Sequence, residues 1–117
     1  MAETILIIED DQDILDMMTY ILQDEGFRVI SSMESVAVAY VQEIAPALIL
    51  LDNRLADGFG RDICRKLKKD PATAGIPVVI VSAVNQLEQV AEESGADAYL
   101  PKPFDLEELV AMVRRFA

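Results

Sequence analysis

Four short apolar runs lie far apart in the chain, and each ends in a polar side chain. Thr4-Ile-Leu-Ile-Ile8 ends in Glu9 and Asp10, Ala47-Leu-Ile-Leu-Leu51 in Asp52, Pro77-Val-Val-Ile-Val81 in Ser82, and Ala98-Tyr-Leu-Pro101 in Lys102. The runs lack the in/out alternation of a sheet with one wet face, so they fit strands buried on both faces, as in a parallel sheet. If they run parallel, Glu9, Asp10, Asp52, Ser82 and Lys102 converge on one edge. Carboxylates that close apolar strands put negative charge at a sheet rim, where it serves chemistry rather than packing.

The segments between the runs have helical spacing. After Asp13, a candidate N-cap, Ile14, Leu15, Met18, Ile21 and Leu22 share a face, and Gly26 is a stop signal. A second helix is expected from Ser35 to the Ala45-Pro46 break, with Val36, Val38, Ala39 and Val41. Gly60 opens a third, with Ile63, Cys64 and Leu67 on its apolar side; Leu87, Val90 and Ala91 mark a short fourth closed by Gly95; Leu106, Leu109, Val110 and Val113 mark a last one capped by Asp105. The order reads as βα repeated five times. This is an α/β doubly wound (βα)5 sandwich, with a five-stranded parallel sheet of order 2-1-3-4-5 in the flavodoxin-like manner. In such sheets ligands bind outside the carboxyl ends of the strands, near the switch point between the first and third, where Glu9, Asp10 and Asp52 stand.

At 117 residues and 52% hydrophobic content the chain makes one domain, residues 1–117, with a core of its own. No apolar run approaches the roughly 20 residues of a membrane span, and no signal-peptide pattern opens the sequence. A cytoplasmic protein is expected, without membrane association. The single cysteine, Cys64, fits a reducing compartment and reads as a small apolar helix-face residue. A net charge of −11 argues against nucleic acid as a direct partner. The basic residues from Arg61 to Lys69 read as a solvated helix face, with a docking patch for an acidic partner as the sharper alternative. With no histidine in the chain, the chemistry falls to carboxylates, a lysine and hydroxyls.

Three clustered carboxylates repel one another unless one holds a proton or a cation compensates them. Hard oxygen ligands with room for water and phosphate oxygens suit Mg²⁺, with Mn²⁺ as an alternative. A carboxylate beside such a metal can attack phosphorus and form an aspartyl phosphate. A nearby ammonium and hydroxyl, here Lys102 and Ser82, then hold the transferring oxygens. The set reads as an aspartate phosphorylation site.

These residues stand in a longer pattern: Ile5-Leu-Ile-Ile-Glu9-Asp10-Asp11, Leu50-Leu51-Asp52, Asp57-Gly-Phe-Gly60, Ile76-Pro-Val-Val-Ile-Val-Ser82-Ala83 and Gly95-Ala-Asp-Ala-Tyr99-Leu-Pro-Lys102-Pro103-Phe104. In this order and spacing the chain resembles, over nearly its whole length, the response regulator receiver domains of bacterial two-component systems. The resemblance implies that Asp52 accepts a phosphoryl group from a sensor histidine kinase or a histidine phosphotransfer protein. It implies that Glu9, Asp10 and Asp52, with the backbone carbonyl of Arg54, hold Mg²⁺, Glu9 partly through water. It makes Ser82 the switch hydroxyl, Tyr99 the switch aromatic and Lys102 the phosphate-pairing lysine, with a cis Lys102-Pro103 bond. Chemistry would be confined to the domain's own phosphorylation and slow dephosphorylation. Output would pass to a downstream protein target or a fused output domain, from a monomer or a weak phosphorylation-dependent dimer.

Some positions depart from that pattern: Asn53 stands where an apolar residue is common, Ala56 where proline is frequent, and the stretch from Ser82 to Lys102 is about two residues short. A hydrolase of the haloacid dehalogenase type would place its nucleophile after the first strand in an Asp-x-Asp motif and add a substrate cap; the first-strand acids lack that register, and no cap is expected. The alternative is a receiver-like interaction module that works without phosphorylation. Such a module is expected to lose Asp52, an acidic-pair member or Lys102, all of which are present.

Overall fold

The computed structural model describes residues 2–117. Ten main elements alternate along the chain: Thr4–Ile8 (β1), Gln12–Asp24 (α1), Arg28–Ser32 (β2), Val38–Ile44 (α2), Leu48–Asp52 (β3), Gly60–Lys69 (α3), Val78–Ser82 (β4), Leu87–Ser94 (α4), Ala98–Pro101 (β5) and Leu106–Phe116 (α5). The strands form one parallel sheet of order β2-β1-β3-β4-β5, the doubly wound order expected. Between β3 and α3 a two-residue antiparallel ladder joins Arg54–Leu55 to Gly58–Phe59.

The apolar runs are buried on both faces because alternate side chains feed two separate cores. Ile5, Ile7, Leu48, Leu50, Val79 and Val81 pack under α1 and α5 with Leu15, Met18, Leu109 and Val113. Leu6, Ile8, Ile49, Leu51, Val78 and Ile80 pack on the other side with Val41, Ile63, Cys64, Leu67 and Leu87. Each fully buried aliphatic side chain contributes about 1.5–3 kcal/mol relative to exposure, so the central strands anchor the sheet whose rim carries the polar residues.

Register then sets which side chains meet. Ile8 pairs with Leu51, Asp52 with Val81 and Ser82 with Pro101. The residues that follow or end these strands, Glu9, Asp52, Ser82 and Lys102, therefore come out at one edge.

Two local details differ from the sequence reading, and the short fourth helix closed by Gly95 agrees with it. The N-cap of α1 is Asp11 rather than Asp13: Asp11 is still extended, at φ −88° and ψ 114°, and its carboxylate accepts the Ile14 N–H at 3.1 Å. The second helix starts at Val38, not Ser35, because Ser35 is drawn to Asp57, its hydroxyl donating at 2.6 Å and its N–H at 3.2 Å. The fourth helix is two turns long, Leu87–Ser94, ended by Gly95 in the left-handed region at φ 81°. Asp105 caps α5 as expected, in a reciprocal box with Glu108. No helix among the described residues is long and apolar enough to cross a membrane.

Candidate functional site

The carboxyl edge of β1, β3, β4 and β5 opens into a cleft of about 500 Å³ lined by Glu9, Asp10, Asp52, Ser82 and Lys102 together with Asn53, Arg54, Phe59 and Arg61. One carboxylate oxygen from each of Glu9, Asp10 and Asp52 falls within 4.8 Å of the other two. Glu9 is 2% exposed and Asp52 6% exposed, while Asp10 is half-buried. Hard oxygens this close, two of them out of water, form a natural seat for a small divalent cation.

Lys102 reaches in from the end of β5, and the peptide bond that follows it, Lys102–Pro103, is cis. Its Nζ lies 2.7 Å from Glu9 Oε1 and 3.6 Å from Asp52 Oδ2. The approach to Glu9 is an ion pair outside hydrogen-bond geometry, and Glu9 Oε1 has no hydrogen-bond donor although it is buried. Its other oxygen accepts the Asp11 N–H at 3.3 Å. One ammonium thus faces three carboxylates, an excess that fits a further cation rather than a closed structural ion pair.

Asp52 shows the cost of that excess. Burial, then the hydrogen bond and charge of Glu9, push its pKa from 3.8 to about 8 against the opposing pull of Lys102 and the Arg54 N–H. That N–H donates to Asp52 Oδ1 at 3.3 Å. Without further positive charge this carboxyl keeps its proton near neutral pH.

Ser82 is buried at the end of β4, where its Oγ accepts the Val84 N–H at 3.2 Å and its backbone carbonyl accepts the Lys102 N–H at 2.9 Å. Tyr99 stands apart from this cleft. It is half-buried within β5, beside Ile80, and lines a second depression with Glu88, Ala91, Met112 and Arg115. The sequence reading brought five side chains to one edge, and the edge holds all five. It did not find Asp11, whose N–H holds Glu9, or the rim made by Phe59 and Arg61, whose guanidinium sits 4.7 Å from the Phe59 ring centre. An exposed aromatic two residues before a charged helix position was the available signal.

With this geometry in hand, the comparisons agree. The family model of the response regulator receiver domain matches residues 5–114. The DNA-binding response regulator MtrA of Mycolicibacterium smegmatis is 40% identical over 117 residues, an alignment covering 97% of this chain and 50% of MtrA. The DNA-binding dual master transcriptional regulator RpaA of Synechocystis is 39% identical over 113 residues, covering 94% of this chain and 47% of RpaA. The chain therefore spans about half the length of the curated relatives it matches. Among solved structures, a CheY-like receiver domain protein from Methanospirillum hungatei has a TM-score of 0.86 at 28% identity, covering 98% of this chain and 93% of that one.

Proposed function

The chain belongs to the response regulator receiver domain family, the phosphoacceptor modules of two-component signalling, and from that premise we propose that Asp52 is its phosphoacceptor. The observation that carries this reading is the cluster of Glu9, Asp10 and Asp52 oxygens within 4.8 Å, with Lys102 as its one ammonium, 2.7 Å from Glu9 and 3.6 Å from Asp52.

Glu9, Asp10 and Asp52, with the Arg54 carbonyl, would hold Mg²⁺ or Mn²⁺, which when bound supplies the positive charge that keeps Asp52 ionised and offsets charge on the transferring oxygens. The ionised Asp52 carboxylate attacks the phosphorus of a phosphohistidine on a sensor kinase or phosphotransfer protein. The new O–P bond forms as the P–N bond breaks, and the electron pair returns to the imidazole nitrogen. Lys102, already 3.6 Å from Asp52 Oδ2, pairs with a phosphoryl oxygen, and positioning of this kind supplies most of the catalysis in phosphoryl transfer. The Ser82 hydroxyl, whose oxygen accepts the Val84 N–H, keeps its own proton to donate to another phosphoryl oxygen.

A Ser82 contact with the phosphoryl group draws in the loop after β4, to which Ser82 is already tied through the Val84 N–H. Tyr99, one strand over, then turns inward and reshapes the α4-β5-α5 face, which changes binding to a downstream protein or output domain. The domain acts on itself alone, in the cytoplasm, by gaining and slowly losing one phosphoryl group, and it makes no direct contact with nucleic acid. The test is incubation with Mg²⁺ and a small phosphodonor such as acetyl phosphate, followed by mapping of hydroxylamine-labile phosphate. Label on Asp52 that vanishes in Asp52→Asn is expected; label elsewhere, or none, overturns the assignment.

A further inference from the structure

Asn53 is a polar side chain in an apolar place. It directly follows Asp52, is 5% exposed, and lies under the start of α3. A buried amide costs free energy unless its polar atoms are used, and two of its acceptors are used in one direction. The Asn53 carbonyl accepts the Gly60 N–H at 2.8 Å, and its Oδ1 accepts the Arg61 N–H at 3.3 Å. These are first-turn donors of α3, which a helix cannot satisfy internally. The residue at the usual capping position, Phe59, offers no side-chain acceptor. Asn53 therefore caps α3 from the strand side, seven residues ahead of the helix.

The clamp sits where the site needs rigidity. Gly60 is pressed so closely on β3 that a Cβ there would overlap the Asp52 carbonyl oxygen. The stretch between clamp and helix, Arg54-Leu-Ala-Asp-Gly-Phe59, contains no proline, and Gly58 has φ 156°. Its tip is tied separately, by Ser35 to Asp57. At its base lies the Arg54 peptide, whose N–H donates to Asp52 Oδ1.

We infer that Asn53 is a positioning residue: by capping α3 it fixes the Arg54 peptide, and through it the divalent-cation seat and the orientation of the Asp52 carboxylate. The inference rests on the phosphoacceptor reading above and adds a determinant of cation affinity that lies outside the carboxylate cluster. Groups that orient a metal's ligands commonly carry about 10–100-fold in affinity.

The experiment compares wild type with Asn53→Leu, which fills the space without an acceptor, and Asn53→Asp, which keeps one. Mn²⁺ affinity is read from paramagnetic broadening of amide signals, initial phosphorylation rate from acetyl phosphate at saturating Mg²⁺, and stability from urea unfolding. Asn53→Leu should weaken Mn²⁺ by about tenfold and slow phosphorylation, while Asn53→Asp restores wild-type Gly60 and Arg61 amide shifts and Mn²⁺ binding at least as tight as wild type. Loss of stability in Asn53→Leu with Mn²⁺ affinity unchanged overturns the inference. If Asn53→Leu does not fold, Arg61→Pro removes the same bond from its donor side, with Arg61→Ala as its control, and the same criterion applies. Failure of wild type to take phosphate at all would count against the phosphoacceptor reading, whereas the Mn²⁺ comparison still decides the role of Asn53.

Discussion

The two ends of the sheet each carry a partly buried lysine beside acidic groups, and they use it in opposite ways. At the amino end, Lys68 of α3 donates to the Ala74 and Ile76 carbonyls at 3.2 and 2.8 Å and to Asp97 Oδ2 at 2.8 Å, and that same oxygen accepts the Val78 N–H. All three ammonium protons have acceptors. At the carboxyl end, Lys102 faces Glu9 and Asp52, with Asp10 near, and Glu9 Oε1 has no hydrogen-bond donor. A closed network joins α3, the loop before β4 and the loop before β5 into one unit. An open one stores carboxylate repulsion that a cation can relieve.

The sharpest way to break the comparison is to remove each lysine's purpose. Lys68→Met should cost about 2–3 kcal/mol, because two carbonyls and Asp97 lose their donor at once. Urea unfolding measures this, and phosphorylation of the folded fraction should be unchanged. A loss under about 0.5 kcal/mol would put the Lys68 network on a par with an exposed ion pair.

The open end should respond in the opposite sense. Asp52 binds its proton more tightly folded than unfolded, its pKa rising from 3.8 to about 8. Its contribution to stability is therefore complete below 3.8 and is lost as pH climbs through about 8. Asp52→Asn has no proton to lose. In a chelator, the variant should gain on wild type as pH rises, reaching about 1–2 kcal/mol near pH 9. A constant difference across that range would mean that Asp52 is not the group held protonated.

Much of this contrast was written in the sequence, for a physical reason. Continuous burial leaves an apolar run, so β1, β3, β4 and β5 and the polar residues that end them were legible, and with them the cluster at the rim. The strand β2 was not readable in the same way: Arg28–Ser32 lies at the sheet edge, is only partly covered, and carries Arg28, Ser31 and Ser32 in place of aliphatic residues. The start of α2 was misplaced because Ser35 is committed to Asp57, a partner 22 residues away. Asp11, Asp13 and Asp10 are equivalent as local helix signals, and it is the tertiary path of the chain, extended at Asp11 and helical from Gln12, that makes Asp11 the cap. Asn53 stood out as an oddity after Asp52, but its use depends on α3 folding back over β3, which spacing alone does not encode.

Cation binding gives a smaller effect. Mg²⁺ at ten times its dissociation constant should stabilise wild type by about 1.4 kcal/mol through mass action. Thermal unfolding with and without Mg²⁺ measures the gain, and Asp10→Asn should lose most of it while keeping the fold. An equal gain in Asp10→Asn would move the cation away from the acidic cluster.

The smallest expected effect separates a local event from a transmitted one. Ser82 Oγ accepts the Val84 N–H in this structure, so a phosphoryl contact made by its free O–H would pull on the loop from Ala83 to Gln86 through that bond. Gln86, at the end of that loop, already sits in the left-handed region at φ 62°, a conformation that costs a non-glycine residue of order 1 kcal/mol. Releasing that cost would favour a rearranged loop once a phosphoryl contact supplies a differential interaction. A beryllofluoride mimic on Asp52 should move amide signals from Ser82 to Ala91 and at Tyr99, and the shifts beyond Val84 should collapse in Ser82→Ala. If they persist there, transmission runs through some other contact. If wild type shows shifts only beside Asp52, the open end of the sheet binds phosphate without passing the event on.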